Sequence, residues 1–137
     1  MRKIAFGYST SCNIRCSHCV AAGEKPATSK MELAKAKDVI RELIRAEVKG
    51  ISFTAGEPFI YLEDVAELVK LCSENRVYTR VVTNSYWAKT AEQARERLHL
   101  LSQSGICQLR LSYSRWHQEG RIQRFRNELL GIRCGSN

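Results

Sequence analysis

Three times along the chain an apolar run is followed by a loop and then by residues at helical spacing, and a fourth such run follows. Ile4, Phe6 and Tyr8 alternate with Ala5 and Gly7, which predicts a first strand over Lys3 to Tyr8. Ile51 to Thr54, Val77 to Thr83 and Gln108 to Tyr113 predict three more. Between them, Leu33, Ala36, Ile40, Leu43 and Ile44 share one helical face, as do Leu62, Val65, Leu68, Val69 and Cys72, and then Ala91, Ala94, Leu98 and Leu101. Crossovers of this kind are almost always right-handed, so the expected fold is α/β with a parallel sheet of about four strands.

Local signals set the boundaries. Ser29-Lys-Met-Glu32 and Thr90-Ala-Glu-Gln93 have the form of capping boxes that open the first and third helices. Gly50 is expected to stop the first helix, and Glu63, Asp64 and Glu67 suit the electropositive start of the second. In strand four, Leu109 and Leu111 fall on one face while Gln108, Arg110 and Ser112 fall on the other. That alternation predicts one face packed on helices and one polar face, which suits a cavity lining ahead of an exposed sheet face with the same pattern.

Ligands in parallel sheets gather outside the carboxyl ends of the strands. The chemically distinctive segments all fall there: residues 10–19 after strand one, Ala55-Gly56-Glu57-Pro58 after strand two, Thr83-Asn84 after strand three, and Ser112 to His117 after strand four. With 137 residues the chain is long enough for one domain with a sizeable core. The only apolar run near the N-terminus, Ile4 to Phe6, is too short for a secretory signal or a membrane span, so a cytoplasmic protein is expected. A formal charge of +8 favours an anionic partner, an acidic electron donor such as flavodoxin or ferredoxin before nucleic acid, or else a solvated basic surface.

Of the six cysteines, Cys12, Cys16 and Cys19 are crowded into one loop while Cys72, Cys107 and Cys134 are scattered. In a reducing compartment such clustering points to a metal rather than to disulfides. Thiolates are soft ligands that suit iron-sulfur clusters, zinc or copper(I). A structural zinc ion needs a closed fourth position. His18 is the candidate, but lodged between Cys16 and Cys19 it cannot easily turn to the same ion. An iron-sulfur cluster held by three cysteines keeps one iron open instead.

From Lys3 to about Glu119 the sequence resembles the radical S-adenosylmethionine superfamily. Cys12-Asn-Ile-Arg-Cys16-Ser-His-Cys19 is similar to its C-x3-C-x2-C cluster motif, with His18 at a position usually aromatic and usually set against the cofactor adenine. Ala55-Gly56-Glu57-Pro58 is similar to its Gly-Gly-Glu-Pro motif, whose backbone receives the methionine amino group. Thr83-Asn84 matches a Thr-Asn at the end of the third strand, and the stretch with Ser112 and Ser114 resembles one that helps hold the ribose.

The resemblance implies a 4Fe-4S cluster on Cys12, Cys16 and Cys19, S-adenosylmethionine on its open iron, and reductive cleavage to a 5'-deoxyadenosyl radical. Arg15 and Lys25 would either favour the reduced cluster or stand as solvated loop charges, and Glu57 would orient its loop, while Pro58 fixes the turn. Trp87 and Trp116 face either the cleft or the core, and the core is the expectation for so large an aromatic. Ala55 replaces the first glycine of the motif, and Ser114 stands where an acid is frequent.

The resemblance also implies a six-stranded partial barrel, of which the last two strands have no counterpart here. The core is therefore expected over residues 1–119 and a basic tail over 120–137. In the tail Ile122, Phe125, Leu129 and Leu130 predict a short amphipathic helix ended by Gly131. It either covers the edge of strand four or follows a truncation or frameshift, which is preferred because the family pattern stops abruptly as the sequence turns Arg-rich. Two other functions remain open: a cluster-binding fragment that transfers electrons without catalysis, and a Cys3His zinc module that binds nucleic acid. The βαβ order disfavours the zinc module.

Overall fold

The computed structural model describes residues 2–19 and 29–119. Gly23, Lys25 and Pro26, the tail helix of Ile122, Phe125, Leu129 and Leu130 with its Gly131, and Cys134 lie outside the described residues. The elements are β1 (Lys3–Phe6), α1 (Leu33–Arg45), β2 (Gly50–Phe53), a 3-10 turn (Pro58–Tyr61), α2 (Leu62–Glu74), β3 (Tyr78–Thr83), α3 (Ala91–Gln103) and β4 (Gln108–Leu111). The four strands pair in chain order, all parallel, as an open arc of a (β/α) barrel.

The register sorts the two faces of the sheet. Phe6, Phe53, Val81 and Leu109 form one row and Ala5, Ser52, Arg80 and Gln108 the row beside it. The first row meets the helices: Phe53, Ile40, Leu68, Val69 and Leu101 are almost completely buried, and Phe6 stands edge-on to Phe53 at 5.8 Å. Each such side chain contributes roughly 1.5–3 kcal/mol by leaving water. The helices thus lie on one face, and the second row is left as the inner face of the arc. Among the described residues no helix is long and apolar enough to cross a membrane.

Several local expectations change. The capping box at Ser29 does not form; α1 starts after Glu32 with no side-chain cap. Ser29 is engaged instead by Thr10, whose N–H donates to its carbonyl at 3.0 Å and whose hydroxyl lies 2.8 Å from its own. At Thr90 the cap does form, accepting from the Gln93 N–H at 3.2 Å. Gly50 is not the stop of α1: the left-handed turn falls on Glu47, with φ 57°, and Gly50 opens β2.

On α3, Leu98 is 40 % exposed and Ala91 is exposed as well, so the buried stripe is rotated. Arg97 turns inward beside Leu101 and donates to the Phe59 carbonyl at 3.1 Å, a bond no hydrophobic pattern reveals. In β4 Leu109 packs against the core, but Leu111 is 58 % exposed at the sheet edge. Trp87 joins the core as expected, whereas Trp116 is 38 % exposed with Arg115 over its ring.

Candidate cofactor-binding site

Chain crossings at the carboxyl ends of the strands hold the cysteine loop. Met31 donates its N–H to the Tyr8 carbonyl at 2.9 Å, and Glu57 donates its N–H to the Ser11 carbonyl at 2.7 Å. Within the loop, a turn closed from the Cys19 N–H to the Cys16 carbonyl at 3.1 Å folds the two cysteines together. The loop walls an open cleft of about 320 Å³ whose lining includes Cys12, Cys16, Cys19, Gly56, Asn84 and Ser112. His18, Ala55, Glu57 and Thr83 also reach it, as does His117.

Glu57 ties these loops together. Only 2 % exposed, its carboxylate accepts the Thr83 hydroxyl at 2.6 Å and the Phe59 N–H at 3.1 Å on one oxygen, and the Asn84 N–H at 2.8 Å on the other. Bonds of this kind to an ionised acceptor are about twice as strong as neutral ones. The Thr83 hydroxyl in turn accepts from Trp87 Nε1 at 2.7 Å and from the Ser85 N–H at 3.2 Å. Pro58 opens the 3-10 turn immediately afterwards, and Phe59 stacks on Trp87 at 3.9 Å.

Asn84 carries this frame to the cysteines. Its side-chain amide donates to Asn13 Oδ1 at 2.8 Å and lies 3.7 Å from the Cys12 sulfur, while its own Oδ1 accepts the Tyr86 N–H at 2.9 Å. Protein packed round the Cys12 sulfur pushes its thiol up; a bond from the Ile14 backbone opposes this, and the charges of Glu57, Cys16 and Cys19 add to it.

Ala55 and Gly56 both have left-handed backbone, with φ 72° and 58°. A Cβ on Gly56 would lie 2.3 Å from the Ser11 carbonyl and 2.8 Å from that of Ser9, so only glycine allows this crossing. Across the cleft His18 meets His117 edge-on at 5.1 Å and Trp116 at 6.0 Å. Ser114 does not reach the cleft lining directly; its hydroxyl lies 2.6 Å from His117 Nδ1.

Comparison with known proteins gives this arrangement a family. Residues 8–128 match the model of the radical S-adenosylmethionine superfamily, and the chain belongs to it. Particular relatives include the YydG protein of Bacillus subtilis (strain 168), whose name links it to peptide biosynthesis, at 26 % identity over 121 residues, which is 85 % of this chain and 37 % of that protein. The PqqA peptide cyclase of Bradyrhizobium diazoefficiens is 30 % identical over 103 residues, 74 % of this chain and 26 % of that one. The crystal structure of BtrN in complex with AdoMet and 2-DOIA superposes with a TM-score of 0.62 at 22 % identity, covering 88 % of this chain and 50 % of that one. The chain therefore spans less than two fifths of the length of these two curated relatives.

A 4Fe-4S cluster and S-adenosylmethionine are the cofactors of the family, and the residues present fit them. Three soft thiols share one loop beside a cleft bordered by the bare Gly56 backbone. Among the described residues no three Cys, His, Asp or Glu side chains converge as ligands of a single ion. A cluster does not require it, since each thiolate takes its own iron, whereas a Cys3His zinc site does.

The structure thus brings to one cleft the cysteines, His18, the Ala55–Glu57 loop, Thr83, Asn84 and Ser112. His117 joins them at the cleft, while Asn13 and Trp87 stand behind its lining, bonded to Asn84 and Thr83. For His117 the spacing from Ser114 was available: three residues within one helical turn bring the two side chains together.

Proposed function

We propose that residues 1–119 form the cluster- and cofactor-binding core of a radical S-adenosylmethionine enzyme that modifies a peptide. One observation carries this reading: the buried Glu57 carboxylate joins the Gly56 loop to Thr83 and Asn84, and Asn84 reaches the Cys12 sulfur. Cys12, Cys16 and Cys19 would hold the cluster, the backbone at Ala55 and Gly56 would receive the methionine amino group, and His18 with Ser112 would face the nucleoside. When bound, the cluster and S-adenosylmethionine supply reductive cleavage to a 5'-deoxyadenosyl radical, which takes a hydrogen atom from the substrate.

The chain's own residues position and shield. Asn84 fixes Asn13 and hence the start of the cysteine loop, and Pro58 with the Phe59–Trp87 stack keeps the Glu57 loop from shifting. Ser114 acts at one remove by holding His117. The peptide class is supported by the names of the two curated relatives. An acidic flavodoxin or ferredoxin is the electron donor that the charge of +8 favours.

Anaerobic reconstitution of the full chain, then reduction with S-adenosylmethionine present, should give 5'-deoxyadenosine. A fully loaded cluster that yields none, with a spin-resonance spectrum unchanged by S-adenosylmethionine, would overturn this reading in favour of a non-catalytic electron-transfer fragment.

A further inference from the structure

The inner face of the sheet is positively charged in a way that the cofactor site does not use. Strand alternation places Lys3, Tyr78, Arg80, Gln108 and Arg110 on it, opposite the helix-packed row. None of the strand residues on this face is acidic. Gly50 makes the row continuous: a Cβ there would lie 3.0 Å from Lys3 Cγ, so its absence lets Lys3 cross β2. The Lys3 ammonium then sits 5.5 Å from the centre of the Tyr78 ring, and the Tyr78 hydroxyl donates to Gln108 Oε1 at 3.0 Å.

Arg80 donates Nε–H to Ser52 Oγ at 3.1 Å, which orients the guanidinium by one edge. Among the described residues neither Arg80 nor Arg110 forms an ion pair with a carboxylate. Arg110 pairs in register with Val82, which lines the cofactor cleft, and Arg80 lies one inward-facing position further down β3. A ligand reaching from the cleft along the sheet therefore meets Arg110 first and Arg80 second. Guanidinium groups present paired donors in a planar fork that matches a carboxylate.

We infer that this face, through Arg110 and Arg80, receives the carboxylate side chains of an acidic peptide substrate. The inference rests on the peptide reading above and adds the charge of the segment that enters the arc. It assigns to β3 and β4 a selecting role separate from the cysteine loop. Lys3 and Tyr78 close the far end of the row, where the ammonium extends the field beyond Arg80.

Two fluorescein-labelled peptides test it, one of repeated Glu-Gly-Ser units and one with Gln at each Glu, by anisotropy on the reconstituted full chain at fixed low salt. The acidic peptide should bind tighter, and Arg80→Gln with Arg110→Gln should weaken it by roughly tenfold or more while leaving the Gln peptide unmoved. Thermal midpoints of the variants check that they fold. Equal binding of the two peptides overturns the inference and leaves the peptide reading standing; binding of neither overturns both. S-adenosylmethionine affinity is measured alongside. If Arg110→Gln weakens the cofactor and not the acidic peptide, the arginine serves the cofactor carboxylate and the inference fails.

Discussion

Thr83 donates its hydroxyl hydrogen to Glu57 Oε1 across 2.6 Å, and both side chains are almost completely buried at the ends of neighbouring strand segments. The carboxylate geometry leaves no room for an amide. Oε1 and Oε2 both accept, from Thr83 and Phe59 on one side and from Asn84 on the other, whereas glutamine offers one acceptor and a nitrogen that must donate. Glu57→Gln should therefore strand at least one buried donor and lower stability by about 1–3 kcal/mol. Urea unfolding of the cluster-free chain checks this, and an unchanged midpoint would show that the carboxylate is not the tie described.

Ala55 and Gly56 have opposite expectations although they are neighbours. Ala55 holds φ 72°, which costs a Cβ-bearing residue roughly 1–2 kcal/mol, so Ala55→Gly should gain stability, less the greater freedom that glycine gives the unfolded chain. A net rise of about 0.5–1 kcal/mol in thermal or urea unfolding is expected. Gly56→Ala would drive its methyl into the Ser11 and Ser9 carbonyls and push the cysteine loop away. It should lose stability by more than the first change gains and reduce the iron bound on reconstitution. If both variants unfold like the parent, backbone strain in this loop is refuted.

The two scattered thiols among the described residues should react differently. Cys72 is fully buried and its thiol is pushed up to about 12, by burial first and then by Cys107. Cys107 is exposed, with the Thr79 hydroxyl 3.9 Å from its sulfur. Near neutral pH iodoacetamide should label Cys107 in the folded chain and Cys72 only after denaturation, as read by peptide mass. Rapid labelling of Cys72 under native conditions would contradict the packed core around α2.

The parallel order of strands and the buried stripe of α2 were legible because period and β-branching report directly on which face is buried. Cys12, Cys16, Cys19 and the Gly56-Glu57 pair were legible because their spacing is chemical. What escaped depended on partners distant in sequence. Ser29 has the form of a helix cap, but Thr10 claims it; Gly50 has the form of a helix stop, but it makes room for Lys3. Arg97 breaks the expected stripe of α3 because the Phe59 carbonyl lies within its reach. For Trp116 the core was preferred over the cleft, yet it lies half-exposed beside His18, since nothing local distinguishes a core tryptophan from one at a loop edge.

Where the chain leaves the cysteine loop it is clamped to the start of α2, and that clamp should respond to pH. Tyr8 donates to Asp64 Oδ2 at 2.6 Å, and Lys30 Nζ lies 2.8 Å from the same oxygen and 4.9 Å from the centre of the Tyr61 ring. Burial pushes the Asp64 carboxyl up, but the bonds from Lys30 and Tyr8, with the charges of Lys30 and Lys37, outweigh it and hold it below its ordinary 3.8. The bond to Asp64 raises Lys30 above 10.5, and burial followed by the Asp64 bond raises Tyr8 from 10.0 to about 12. A depressed carboxyl stabilises the fold above 3.8, and the contribution is lost as pH falls through its lower folded-state value. Raised groups contribute below their unfolded values; the Tyr8 contribution fades as pH rises from 10.0 to about 12, and that of Lys30 fades above 10.5. Asp64→Asn should therefore lower the thermal midpoint by a margin that is full between pH 3.8 and 10.0 and narrows on either side. Melting both chains from below pH 3.8 to above pH 10.0 checks it, and a margin that narrows at neither end would mean that Asp64 acts through packing rather than charge.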